Sequence, residues 1–520
     1  MKKTLAAIAI LVCMLTGMLG ALAETADAPK GSEPFGDGKT LSLACLEGWY
    51  SAVTVNDNLP AWQKIEENTG VKIEWEASSD YNTAMQPRVA AGQELPDIML
   101  IPPSMQNSGV YKMALDGTII PLDELIREHA PNIQRVLDEN PVLKGLMTAP
   151  DGHIYSICDT TMFVNDLVVQ NAMFIREDWL EALDLEAPET IEDWYNVLTA
   201  FKEYDPTGYG AQVVPYGRSA GSLYGIVSAF TGAYGLPVGT SYWWYDEEGN
   251  VFLTYASEEF RAFLTEMAKW YAEGLIDMEI RDESNFQSLV STNVVGAFST
   301  LSERVPQYDG LLSTAGVEGN HILLAPPMNG DKLLIKRDTT WNHYGITKYC
   351  EDPVLAIRWL DYVWGSEEGV TINEWGIEGL TFEYDEDGNK YFTDFVLNNP
   401  DGLDPYNALR SLGSSNTILV RTPAEVYAAL NPEYVIEYGE MLRDQRSEPF
   451  PQVMATEEEQ ATIDRIQPDL LTYCDECVDK FISGIMPMEE FDAFVEKLYE
   501  IGLDELLAVK QAQFDRSGVR

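Results

Sequence analysis

Cys474 and Cys477 stand in a C-x-x-C spacing. That spacing serves zinc when a second ligand pair is present, and redox exchange when it opens a helix beside a βαβ unit. No second pair stands at a usable distance and the surrounding segment has helical periodicity, so the favoured reading is two buried cysteines. Asp385-Glu386-Asp387-Gly388-Asn389 looks like the start of a calcium loop. Such a loop needs glycine at its sixth position and an acid at its twelfth. Here Gly388 is fourth and Val396 twelfth, which points to a hairpin turn between Tyr384 and Tyr391. Asp246–Asn250 reads the same way. H-E-x-x-H and S-x-x-K are both missing, and Gly208-Tyr209-Gly210 lacks the third glycine of a phosphate loop. A carboxylate pair for glycoside cleavage carries no information in a chain with 84 acids. What does stand out is aromatic content in expected loops: Trp49-Tyr50, Tyr216, Tyr242-Trp243-Trp244, Trp341, Tyr344 and Trp375. Flat rings suit the C–H faces of sugars, while acids and amides take the hydroxyls. Any one of these rings serves equally well in a core; as a group they favour a carbohydrate ligand.

Composition limits the alternatives. A chain of 520 residues predicts about two to four compact units. It is 45% hydrophobic and 23% charged, ordinary globular usage. The 84 acids against 34 bases give a formal charge of −50. That argues against nucleic acid and against adhesion to an anionic membrane surface. Six cysteines are too few for a disulfide scaffold and four histidines limit histidine metal clusters. At the N-terminus, Lys2 and Lys3 precede an apolar run from Leu5 to Leu19 that ends in Ala21-Leu22-Ala23. This predicts a signal peptide over 1–23 cleaved after Ala23. The run falls short of the ~20 residues needed to span a bilayer. Cys13 follows Leu11-Val12 inside the run, the wrong place for lipid attachment, so a freely secreted product is expected. Residues 24–39 read as a flexible leader.

The elements that must position these groups follow from pattern. A strand at Leu41–Leu46, a helix capped by Asn58 with Pro60 in its first turn, a strand at Val71–Trp75, a helix at Thr83–Ala91 and a strand at Ile98–Ile101 make a parallel α/β unit. Ligands bind at the carboxyl ends of such strands, here the loops Glu47–Tyr50, Ser78–Tyr81 and Pro102–Ser104. Further strands are expected at Asn171–Arg176, Val294–Phe298 and His343–Lys348. Helices are expected at Ile191–Tyr204 with Thr190 as cap, at Glu258–Glu273, and after Asp352-Pro353. The last ~100 residues read as helical, with Phe491, Phe494, Val495, Leu498 and Ile501 on one stripe.

In order and spacing, several runs resemble an extracellular solute-binding protein of an ABC importer, in the long-chain carbohydrate-binding, maltose-binding-protein-like branch common in Gram-positive bacteria. They are Trp62 to Gly70, Glu94-Leu95-Pro96-Asp97, Ile175 to Leu180, Pro188 to Tyr195, Phe201 to Pro206, Ala356 to Tyr362, Ser366 to Gly369, Trp375 to Gly379 and Phe481 to Gly484. The resemblance covers nearly the whole chain after the leader. It implies an α/β fold of two lobes, periplasmic-binding-protein-like, with a hinged interlobe cleft. Mapped here, lobe one is 40–168 with 344–395, and lobe two is 169–343 with 396–520. The implied function is capture of a sugar or oligosaccharide and delivery to ABC permease subunits, without catalysis, cofactor or nucleic acid, by a monomer. The implied cleft residues are Glu47, Trp49, Tyr50, Asp80, Ser104, Asp159, Tyr216, Trp243, Phe298, Trp341, Tyr344, Trp375 and Glu378. Of Trp243 and Trp244, strand alternation sends one to the cleft, and Trp243 is the expected one. Many such proteins hold calcium in alternating acids after the Phe-Lys-Glu helix. This chain has Asp205-Pro206-Thr207-Gly208-Tyr209-Gly210 there, so no metal is expected. A secreted glycoside hydrolase and a non-catalytic surface carbohydrate-binding protein are the competing readings.

Overall fold

The computed structural model describes residues 34–517, apart from 48–52, 104, 209–212, 219–223, 240–241, 278, 280–282, 318–320, 338 and 416–417. Its strands are, in chain order, β1 (Thr40–Leu46), β2 (Lys72–Ser78), β3 (Ile98–Leu100), β4 (Ile157–Thr160), β5 (Ala172–Arg176), β6 (Val214–Tyr216), β7 (Trp243–Tyr245) and β8 (Val251–Leu253). There follow β9 (Val295–Thr300), β10 (His321–Leu324), β11 (Leu334–Ile335), β12 (Thr340–Ile346), β13 (Phe382–Tyr384), β14 (Lys390–Phe392) and β15 (Arg446–Ser447).

The first sheet has the order β2-β1-β3-β12-β4. β1 runs parallel to β2 and β3, whereas β12 is antiparallel to β3 and β4. β3 is buried at every position, as a strand covered on both faces must be, while β2 alternates apolar and charged residues and takes the edge. The helix Pro60–Thr69 joins β1 to β2, burying Trp62 and Ile65 and stopping at Gly70 in the left-handed region (φ 69°). Asn58 does not cap it. That residue is itself left-handed (φ 51°) and closes the preceding 3-10 turn Val55–Asp57, which leaves Leu59 in the cap position without a side-chain bond.

The second sheet has the order β10-β5-β9-β6. β5 is antiparallel to β10 and β9, and β6 is parallel to β9. The helices Ile191–Tyr204, Glu258–Ala272, Glu457–Ile482 and Phe491–Ile501 contribute to the same core as its strands. The first of these starts in the expected capping box, Thr190 and Asp193 satisfying each other's backbone N–H. Gly296 on β9 is required by close approach: a Cβ there would sit 2.6 Å from Phe201 and 2.7 Å from Trp179.

Each sheet has its own core. Leu43, Ile98, Leu100, Trp359 and Leu360 belong to the first, and Trp179, Trp194, Trp270, Leu470 and Phe494 to the second. The hairpin turns at Asp246 and Asp385 form as expected, each Asp accepting from the Asn four residues on. Cys474 and Cys477 are buried in the helix Glu457–Ile482. Val396, Leu409, Val426 and Leu430 pack with Trp375, Phe382 and Phe392, and Ile418 and Leu419 join the first core. The stretch 396–430, expected in the second lobe, thus packs mostly beside the first sheet.

Three segments run between the sheets, and two cations tie them together. The Arg446 guanidinium, 5% exposed, donates to the carbonyls of Asn165 (2.9 Å), Val168 (3.0 Å) and Gly439 (3.2 Å). Lys336 bridges Asp166 (2.9 Å) and Glu448 (2.8 Å). β11 pairs with β15 in the same region. A Cβ at Gly439 would lie 2.2 Å from the Leu167 carbonyl oxygen. Gly439→Ala should therefore push these segments apart and cost about 1–3 kcal/mol of stability, measured by urea unfolding; an unchanged midpoint would contradict the close approach.

Candidate functional site

The parallel strands place the ends of β1, β2, β3 and β4 on one edge of the first sheet, and antiparallel β12 begins there. Glu47, just past β1, accepts from the Thr54 hydroxyl (2.7 and 2.8 Å) and the Val55 amide (3.1 Å), so its carboxylate holds the returning loop. Asp80 is exposed at the start of the helix Tyr81–Ala90 and caps nothing with its side chain. Trp49, Tyr50 and Ser104 lie outside the described residues.

Asp159, one residue before the end of β4, is fully buried and stands opposite Trp341 in the β4–β12 ladder. Its carboxylate accepts from the Asn342 side-chain amide (2.9 Å) and the Val420 backbone N–H (3.0 Å). Burial pushes its carboxyl well above the usual range, and the neighbouring Glu374 carboxyl adds to this. Glu374, 2% exposed, accepts from the backbone N–H groups of Arg421 (2.8 Å) and Thr422 (3.3 Å), and burial raises it to about 7. Two buried acids thus hold consecutive amides of the segment 420–422, which carries left-handed backbone at Thr422 (φ 39°) and, just before it, at Leu419 (φ 54°).

The register of β12 against β4 shifts between Trp341 and His343, and Asn342 within the bulge is left-handed (φ 47°). Trp341 is half-buried and, with Trp244, is one of only two described tryptophans outside the hydrophobic cores. The Arg337 guanidinium sits 5.3 Å from the centre of its ring and pairs with Glu303 at 3.2 Å. Glu303 follows β9, so this cluster joins the end of a second-sheet strand to the start of a first-sheet strand. Beside it, Ser302 exchanges two hydrogen bonds with Val169: its hydroxyl accepts from the Val169 N–H (3.0 Å) and its own N–H donates to the Val169 carbonyl (2.9 Å). A half-open indole, an anionic acceptor and a cationic donor in one place can bind a ring that carries hydroxyl groups.

Residues 51–370 match the model of the bacterial extracellular solute-binding protein family. The chain belongs to that family. It is 27% identical to the fructooligosaccharide ABC transporter substrate-binding protein FusA of Streptococcus pneumoniae, over 93% of this chain and 91% of that protein. It is 26% identical to the lipoprotein LipO of Bacillus subtilis over 62% of this chain and 61% of LipO. Among solved structures, the alginate-binding protein AlgQ2 without calcium ion superposes with a TM-score of 0.79 at 25% identity, over 94% of this chain and 100% of that one. FusA in complex with kestose gives 0.75 at 24% identity, over 92% and 99%. The fold of this solute-binding protein is accordingly the two-lobe α/β fold with a hinged cleft, and among its described residues no helix is long and apolar enough to cross a membrane.

Several expected cleft residues of this solute-binding protein sit elsewhere. Tyr216 is in the second core between Trp194 and Phe230, its hydroxyl donating to the Gly225 carbonyl at 3.2 Å. Phe298 stacks on Phe174 at 4.5 Å inside a third apolar cluster. Tyr344 is fully buried, and its hydroxyl has no hydrogen-bond partner among the described residues. Trp375 stacks on Phe392 at 4.5 Å. Trp243 belongs to the second core and not to an open face as expected, whereas Trp244 stacks on Tyr245 outside that core. Asp159 is taken up by the chain's own amides. Tyr216, Phe298 and Tyr344 occupy buried positions of β6, β9 and β12, while Trp375 closes the helical turn Thr371–Trp375 and Trp243 opens β7, each against apolar neighbours. Glu378 is exposed, beyond the helical turn Thr371–Trp375.

Sequence reasoning missed Glu303, Arg337, Asn342 and Arg218. Arg218, 2% exposed just past β6, lies 3.9 Å from Asp479. Applying the carboxyl-end rule to β6 and β9 would have found Arg218 and Glu303, and the tolerance of Asn for left-handed backbone makes Asn342 a candidate for an irregular strand position. The sequence also carries a G-x-S-x-G, Gly217-Arg218-Ser219-Ala220-Gly221, whose Ser219 lies outside the described residues.

Proposed function

We propose that this solute-binding protein captures a sugar or oligosaccharide between its lobes and hands it, uncleaved, to the permease of an ABC importer. The observation that carries the reading is the Trp341–Arg337–Glu303 cluster, where one indole outside the cores meets a charged pair at the junction of the two sheets. Similarity to a fructooligosaccharide-binding relative across nearly the full length supports it. Trp341 provides the stacking face, Glu303 accepts from hydroxyls and Arg337 donates to them; Glu47 and Asp80 lie on the same edge. Closure about the Arg446 and Lys336 ties brings the second sheet onto the ligand. The protein acts as a monomer and needs no metal. Signal peptidase releases it after Ala23; LipO is named a lipoprotein, so intact mass of the exported chain is the direct check. The return to the second lobe falls near residue 430 rather than 395.

A panel of neutral and uronate oligosaccharides, kestose included, tests this by thermal shift and by chromatography of the recovered sugar. A cognate ligand at about 100 times its Kd stabilises by about 2.7 kcal/mol. Trp341→Ala should weaken that ligand about 10- to 100-fold, or about 1.4–2.7 kcal/mol, with little change in the melting temperature of the free protein. Absence of any shift across the panel, or a cleaved product, would overturn the reading.

A further inference from the structure

We infer that Asp159 is a positioning residue, which aims the Trp341 ring through the Asn342 bulge and does not itself touch ligand. The inference rests on the reading of Trp341 as the stacking face and gives that face a support.

In a regular strand, residues two apart share a face. Trp341 would then follow His343, which is 1% exposed and bonded to the buried Ser156. The bulge breaks this alternation by inserting one residue, and bulges re-aim side chains in this way. Here Trp341 stands outside every hydrophobic core, beside Arg337. The bulge needs a residue at φ 47°, a region that Asn tolerates better than most. The Asn342 amide is then fixed at 2.9 Å by one oxygen of Asp159, and the other oxygen is held at 3.0 Å by the Val420 N–H. Each oxygen already holds a bond within the chain and no surface is exposed, so a sugar would have to break one of these bonds to reach Asp159. Its reach across the ladder to Asn342 connects β4, β12 and the segment 420–422 at the base of the indole.

The test uses the full chain labelled with 5-fluorotryptophan and read by fluorine NMR, the Trp341 line being assigned by its loss in Trp341→Phe. Asp159→Asn keeps the shape but turns a donor toward a donor. Asn342→Gly keeps the left-handed backbone and removes the tie. Both should move or broaden the Trp341 line while the lines of core tryptophans hold, and both should weaken kestose at least about fivefold. If the Trp341 line stays in place in both, the inference is overturned, and a loss of kestose affinity with an unmoved line would make Asp159 a ligand contact. A moved line with kestose affinity unchanged, in these variants and in Trp341→Ala, would uphold the positioning role and defeat the ligand reading instead. If Asp159→Asn fails to fold, Asn342→Gly decides alone.

Discussion

Trp243→Ala should lower the free energy of unfolding by about 3–5 kcal/mol while leaving the sugar affinity of the remaining folded protein intact. The ring is 7% exposed, sits opposite Leu253 in the β7–β8 hairpin and packs into the second core. The Lys510 ammonium lies 5.8 Å from its centre, and burial pulls that amine down to about 8. Removing the indole leaves a cavity under a cation that is already poorly solvated. Trp244→Ala is the control: its ring stacks on Tyr245 outside the core, so the loss should be about 1 kcal/mol or less. Urea unfolding of both variants, with sugar titration of each, separates the two roles. A Trp243→Ala protein with an unchanged midpoint and lost binding would place that ring in the cleft.

Glu374→Gln should become progressively more stable than the parent protein as pH rises from about 4.5 to about 7, the difference growing by about 3 kcal/mol. Burial raises the Glu374 carboxyl from 4.5 to about 7. Across that window the unfolded chain has released this proton and the folded chain still holds it, so the parent loses stability as pH rises. Glutamine carries no such penalty and can still accept from the amides of Arg421 and Thr422. His343 works the other way: burial lowers it from 6.5 to about 4, so the unfolded chain gains a proton that the folded chain refuses, and stability falls as pH drops through that range. In the parent the two slopes oppose each other between about 4.5 and 6.5; in the variant the histidine slope stands uncovered. Urea midpoints at half-unit pH steps measure the difference. A constant gap between the two proteins would mean that Glu374 is ionised throughout.

Local features were legible in the sequence. The strands β1 to β3, the Thr190 capping box, the Asp246 and Asp385 hairpins and the helix after Pro353 each depend on neighbours within a few residues. The site depends on distant ones. Arg337 and Glu303 are 34 residues apart, Asn342 and Asp159 are 183 apart, and Val420 lies 261 beyond Asp159. No window of pattern contains any of these pairs. Tyr216 and Phe298 were misplaced because an aromatic residue near a strand end looks the same whether the next layer covers it or not, and Trp375 because the ring that covers it, Phe392, belongs to a hairpin beyond its own helical turn. β9 runs to Thr300, two residues past its expected end, which both buries Phe298 and brings Glu303 to the edge.

The pairing of β11 with β15 spans only two residues, and the cations beside it grip carbonyls and exposed acids more than packed side chains. Such a joint resists bending weakly. The measured affinity of a ligand is its intrinsic affinity scaled by the fraction of molecules already shaped to receive it. Apparent affinity can therefore be tuned at Lys336 or Arg446 with no atom of the sugar contact altered. Two proteins with the same indole and the same charged pair could then fill with the same sugar at very different concentrations.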